Sequence, residues 1–171
     1  FYEENAEFRT PMLSRLLDRV CIGTNYNLIK LLSSNLEVPD SLMDRFVSRI
    51  CTKPALGKLS QQIGAFLSCS PEGFRKLYHI VDAYNENGVE FKNAISLLCW
   101  IGVQQKSLSV GSKLEQVLHR GYVAQELLCQ ELYLVVEVCD DLPNPFVQVI
   151  RSTLWEIILK VFATKSDGSS W

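Results

Sequence analysis

Residues 70–100 read SPEGFRKLYHIVDAYNENGVEFKNAISLLCW, and this stretch decides the fold class. Ser70-Pro71-Glu72 joins a capping hydroxyl, a proline suited to a first helical turn, and an early carboxylate that complements the positive end of a helix dipole. Phe74, Leu77, Tyr78, Val81 and Tyr84 follow at helical spacing, and Asn87-Gly88 supplies a left-handed stop. Phe91, Ala94, Ile95, Leu98 and Ile101 then form the stripe of a partner helix expected over 89–104. Two helices joined by so short a connection pack antiparallel, so the stretch predicts a helical hairpin.

The same punctuation extends in both directions. Toward the N-terminus, Thr10-Pro11 reads as a helix start for the stripe Met12, Leu13, Leu16, Leu17, Val20. Gly23-Thr24 restarts the chain, and Tyr26, Leu28, Ile29 and Leu32 carry a second helix to about Ser34. Val38-Pro39-Asp40 opens a third, with Leu42, Met43, Phe46, Val47 and Ile50 on one face. Lys53-Pro54 opens a fourth, with Leu56, Leu59, Ile63, Phe66 and Leu67 as its core side. Toward the C-terminus, Ser112-Lys113-Leu114-Glu115 fits a capping box for a short helix ending near Gly121. A long helix is expected over about 122–138, apolar nearly all round. Asn144-Pro145 caps the last helix, which carries Val149, Leu154, Ile157, Ile158 and Val161. Leu134-Val135-Val136 is the most strand-like stretch, but its apolar residues are consecutive and continue a longer run, so it is read as helix.

The chain has 171 residues, 47% of them hydrophobic and 21% charged, with only 9 Gly and 6 Pro; this excludes disordered and collagen-like classes. The fold class read from these patterns is all-α: stacked antiparallel helical hairpins, α-solenoid-like, with an irregular helix bundle as the alternative. Residues 1–163 are expected to form a single α-helical domain, a piece of a longer protein, and 164–171 a polar tail. No strict period is legible along the chain.

One segment carries a family pattern. Ile80-Val81-Asp82-Ala83-Tyr84-Asn85-Glu86-Asn87-Gly88, followed by Ala94-Ile95-Ser96-Leu97-Leu98, resembles the core of pentatricopeptide and tetratricopeptide repeats, with one extra residue between Gly88 and Ala94. The resemblance covers residues 80–98. It implies membership of the broad helical-repeat superfamily, which includes HEAT-like solenoids, with Ala83 and Ala94 allowing close helix approach and Gly88 making the turn.

Catalytic chemistry finds no constellation. The two histidines, His79 and His119, neighbour no nucleophile motif, and Gly-x-Ser-x-Gly, Walker-type, His-Glu-x-x-His and Gly-x-Gly-x-x-Gly patterns are absent. The six cysteines contain no Cys-x-x-Cys pair, and Cys51, Cys99 and Cys129 fall in apolar runs where a thiol behaves as a small hydrophobe. No enzyme activity, metal or cofactor is expected. Reduced thiols place the protein inside the cell, nuclear or cytoplasmic, and the apolar runs, interrupted by Glu131, Glu137 or Glu156, argue against a membrane span.

Charge is more informative in its distribution than in its total of −2. Residues 9–76 hold ten basic and five acidic side chains, whereas 77–171 hold seven and eleven. Arg15, Arg19, Arg45, Arg49, Lys53 and Lys58 are the candidate contacts for a partner or for nucleic acid, and Glu126, Glu131, Glu137, Asp140 and Asp141 a candidate acidic docking face. The expected function is a non-enzymatic helical scaffold domain that mediates protein–protein interaction within a larger intracellular complex. The alternative is a helical-repeat RNA- or DNA-binding module using the basic N-terminal half.

Overall fold

The computed structural model describes residues 6–22, 38–53, 56, 59–68, 70–83, 88–121, 124–131 and 144–166. These form eight α-helices and, among the described residues, no strand: α1 (Ala6–Ile22), α2 (Asp40–Cys51), α3 (Leu59–Leu67), α4 (Pro71–Ala83), α5 (Val89–Gln105), α6 (Leu108–Leu118), α7 (124–131) and α8 (Pro145–Ser166). The chain is all-α, as its spacing predicts. It divides into two compact units, Phe1–Ile101 and Gly102–Trp171, with α5 contributing residues to each. The helix expected near 24–34, the strand-like stretch at Leu134-Val135-Val136, and the terminal aromatics Phe1, Tyr2 and Trp171 lie outside the described residues.

Local chemistry sets several boundaries. Ser70 Oγ accepts the Gly73 N–H at 3.1 Å and so starts α4 where the Ser-Pro-Glu signal puts it. Asn144 Oδ1 accepts the Phe146 N–H at 3.1 Å at the start of α8. Other boundaries differ from the sequence reading. Pro11 lies inside α1, five residues after its start, rather than in its first turn. Its ring still suits the helical φ, so the helix continues across it, short one N–H donor. The cap of α6 is Ser107, which accepts from the Val110 N–H at 3.2 Å; Ser112 sits inside the helix. Lys106 forces this earlier start by taking a left-handed conformation (φ 51°), which ends α5. The Ser107 N–H then reaches the Gly102 carbonyl (3.0 Å) and the Lys106 N–H the Val103 carbonyl (3.3 Å), a Schellman closure. α3 begins only at Leu59, with Leu56 buried but non-helical. α8 continues to Ser166, three residues into the stretch read as a tail.

Within the first unit, α2 packs against both α1 and α4. Each of the three buries a triad at i, i+4, i+7: Leu13, Leu17, Val20 in α1; Met43, Val47, Ile50 in α2; Gly73, Leu77, Ile80 in α4. The triads recur at a constant offset of 30 residues. At the same offset stand Arg15, Arg45 and Arg75, and the pairs Arg19/Arg49 and Cys21/Cys51. The contacts repeat with the residues. Arg45 Nη2 donates to Ser14 Oγ on α1, and Arg75 Nη2 donates to Asp44 Oδ1 on α2 at 3.4 Å, where Asp44 is the 30-residue counterpart of Ser14.

α3 and α5 meet within the same unit. A Cβ placed on Gly64 would lie 3.1 Å from Trp100 Cβ, so the missing side chain lets the two backbones approach. Within the hairpin of α4 and α5, Ala83, expected to allow close approach, is instead exposed at the end of α4, while Ala94 is buried as expected. Ser96 Oγ donates to Ser60 Oγ (3.2 Å) between the same two helices. The buried Asn93 of α5 donates from Nδ2 to the carbonyls of Cys51 and Lys53, both at 2.7 Å, satisfying two groups at the C-terminal end of α2. In the second unit α6 packs on α8, which buries Phe146, Ile150 and Thr153 at the same i, i+4, i+7 spacing.

Candidate functional site

On α8 the buried triad takes one side of the helix. Trp155 lies about 180° round the helix from Phe146, and Ile158 and Leu159 flank it about 60° and 40° to either side, at 100° per residue. These three are 61%, 41% and 60% exposed. Leu154, about 80° from Phe146, sits between the two faces, whereas Ile157, about 20° from it, continues the packed side; both are half-buried. α8 is thus apolar on both sides, a pattern typical of helices covered on both sides, yet its second face is open among the described residues. Contiguous exposed apolar surface of this kind, with a tryptophan at its centre, is characteristic of interaction sites.

The basic candidates separate into two groups. Arg45 donates to Ser14 Oγ, Arg49 pairs with Asp18, and Lys53 Nζ donates to the Cys21 carbonyl at 3.2 Å. These three side chains, one turn apart along the chain, zip the C-terminal part of α2 to α1. Arg49 and Asp18 remain about two-fifths exposed, so the pair sets register more than it adds stability, on the order of 0–1 kcal/mol. Arg15 and Arg19 are exposed on α1, and among the described residues nothing pairs with either. Lys58 lies outside the described residues.

The acidic candidates are not brought together. Glu126 is exposed on α7, whereas Glu131 is only 9% exposed on the same helix, because α7 buries Ala124, Leu127, Leu128 and Glu131 on one side. Glu137, Asp140 and Asp141 lie outside the described residues. The same register turns Cys129 outward, away from the core that its apolar run suggests, while Cys51 and Cys99 are buried as free thiols.

No described thiol is poised as a nucleophile. Burial pushes the Cys51 thiol up to about 12, with Glu90 adding to the effect and Lys76 opposing it. Cys21 is also raised, first by burial and then by Asp18, against the lowering influence of Arg49 and Lys53. A thiol that stays protonated at neutral pH attacks slowly. His79 and His119 are both exposed. Among the described residues no three His, Cys, Asp or Glu side chains are placed to hold a metal ion, and no helix is long and apolar enough to cross a membrane. The stripe on α8 was not singled out from the sequence, although Trp155, Ile158 and Leu159 stand at i, i+3, i+4; the signal was the surplus of apolar residues over what one face requires. Comparison with known protein families, with characterised proteins and with solved structures finds no match to this chain.

Proposed function

We propose that this chain is a non-enzymatic α-helical scaffold that binds another protein within an intracellular complex, nuclear or cytoplasmic. The observation that carries this reading is the open stripe Trp155, Ile158, Leu159 on a helix whose opposite side is already packed. Tryptophan is among the residues most enriched at the energetic centres of protein–protein interfaces. Covering the stripe removes apolar surface from water at roughly 25 cal/mol per Å².

The architecture proposed is a stacked array of helical hairpins, a degenerate member of the helical-repeat superfamily. Support comes from the 30-residue return of the buried triad and of Arg15, Arg45 and Arg75 along α1, α2 and α4. Arrays of this kind present successive helices as an extended surface for partners. The alternative, nucleic-acid binding through the basic half, has less support, because Arg45, Arg49 and Lys53 hold α1.

Affinity capture of the protein from nuclease-treated extract, beside the variant Trp155→Ser plus Leu159→Ser, tests the reading. Both residues are exposed, so the variant is expected to keep its helical circular dichroism and its melting temperature. Partners that survive nuclease and are lost with the variant are the expected result. Partners that vanish with nuclease and ignore the variant refute the scaffold reading in favour of nucleic acid.

A further inference from the structure

The 30-residue recurrence gives α1 two flanks with different occupancy. One flank, carrying Ser14, Asp18 and Cys21, lies about 100° from the buried triad and is covered by α2 through Arg45, Arg49 and Lys53. The other flank, about 110° to the opposite side, carries Met12, Arg15, Leu16 and Arg19. Its counterparts in α2 are Leu42, Arg45, Phe46 and Arg49, the flank that α2 turns toward α1. α4 turns the corresponding flank, Glu72, Arg75, Lys76 and His79, toward α2. Arg75 is held first by Glu72 on its own helix, with Nε to Glu72 Oε2 at 2.9 Å, and with Lys76 it approaches Asp44 at 3.4 and 3.7 Å. The same kind of flank therefore meets, in α2 and again in α4, an acceptor-bearing flank on the helix 30 residues earlier in the recurrence.

On α1 that basic flank meets no partner among the described residues. Arg15 and Arg19 are exposed and pair with no described residue. Met12 is 37% exposed and Leu16 half-buried, whereas their counterparts Leu42 and Phe46 are buried. We propose that the Met12, Arg15, Leu16, Arg19 flank of α1 docks an α-helix of a partner that carries carboxylate or hydroxyl side chains four residues apart. The argument is charge complementarity supplied by the chain itself: Ser14 with Asp18, and Asp44, are what this flank binds wherever it is filled. The occupant's acceptors face Arg15 and Arg19 at i and i+4, and its apolar residues cover Met12 and Leu16. This deepens the scaffold reading and rests on it, but it uses a face of α1 and not the stripe on α8.

The test is a fluorescence-anisotropy titration of the whole chain with a lactam-bridged peptide of the α1 sequence, residues 6–22, which bears Ser14 and Asp18 in the register that α2 recognises. Saturable binding that Arg15→Glu plus Arg19→Glu weakens at least tenfold at low salt is expected. A peptide with lysine in place of Ser14 and Asp18 is expected to bind the charge-reversed chain better than the original chain. Circular dichroism melts of the reversed chain control for folding, since both arginines are exposed. Four outcomes overturn the proposal: no saturable binding; equal binding of a scrambled peptide; loss of binding with Arg45→Glu plus Arg49→Glu but not with Arg15→Glu plus Arg19→Glu, which means the peptide replaces the resident α1; or displacement by single-stranded oligouridylate that binds the same arginines more tightly. A dimer in sedimentation that the Arg15→Glu plus Arg19→Glu chain no longer forms also overturns it, assigning the flank to a second copy. Failure here with the Trp155→Ser plus Leu159→Ser effect intact removes only this inference, whereas loss of that effect removes the scaffold reading itself.

Discussion

Two helical glycines face the same phenylalanine, and opposite outcomes are expected when each becomes alanine. A Cβ on Gly102 of α5 would stand 2.4, 2.5 and 2.6 Å from three ring carbons of Phe146. Optimal carbon–carbon contact is about 3.5–4.0 Å, so the methyl would penetrate the ring by roughly 1 Å. Phe146 is fully buried and its backbone N–H is held by Asn144, so the ring has little room to retreat. Overpacking of this kind costs about 1–3 kcal/mol, and the severity of the overlap places Gly102→Ala near the upper end. The change from glycine to alanine inside a helix returns about 1 kcal/mol, leaving a net loss of about 2 kcal/mol. On Gly111 of α6 the nearest atoms are Val149 Cγ1 at 3.4 Å and Phe146 Cδ2 at 3.5 Å, ordinary contact. There the helix gain stands almost alone, and Gly111→Ala is expected to stabilise by about 0.5–1 kcal/mol. Urea denaturation at 25 °C gives the overall change, and hydrogen exchange of the α6 amides reports on this unit alone. The double variant Gly102→Ala with Phe146→Leu is expected to recover at least 1 kcal/mol relative to additivity, since the ring is what the methyl meets. A Gly102→Ala protein as stable as the wild type, or one that Phe146→Leu does not rescue, would show that the methyl does not meet the ring.

Three further outcomes follow from buried polar and titrating groups. Asn93→Leu strands the carbonyls of Cys51 and Lys53 and is expected to cost about 2–4 kcal/mol, read as a lowered melting temperature. Lys106→Gly relieves a left-handed non-glycine residue and is expected to stabilise by about 0.5–1 kcal/mol in the same melts; a neutral result would mean that the Schellman turn carries no strain. Cys51 is raised from 9.0 to about 12 in the folded chain, so both states hold the proton below pH 9. Above it the unfolded chain releases the proton first, and stability is expected to fall with rising pH by up to about 1.4 kcal/mol per unit until about pH 12. Cys51→Ala flattens that alkaline slope in urea titrations, and an unchanged slope would exclude Cys51 as its source.

The boundaries that were legible in the sequence are those made by local hydrogen bonds. Ser70 and Asn144 cap helices through groups two or three residues away, and such contacts do not depend on the rest of the fold. Ser112 misled because the competing start at Ser107 depends on Lys106 adopting a left-handed conformation, which no propensity of lysine announces. The 30-residue recurrence is masked in the sequence for a different reason. Its apolar positions exchange among Leu, Met, Val, Ile and Gly, so the repeated property is burial, and identity survives mainly in Arg15, Arg45 and Arg75.

That the chain is helical, and where its apolar stripes run, follows from neighbouring residues alone, because helix periodicity and capping are local properties. The sequence also concentrates basic charge in residues 9–76. Only the tertiary structure separated Arg45, Arg49 and Lys53, which hold α1, from Arg15 and Arg19, which face solvent. Only the tertiary structure withdrew Glu131 from the acidic face and left Trp155, Ile158 and Leu159 open on the far side of a packed helix. Spacing along one helix defines its faces, but whether a face is covered depends on what a second helix brings to it.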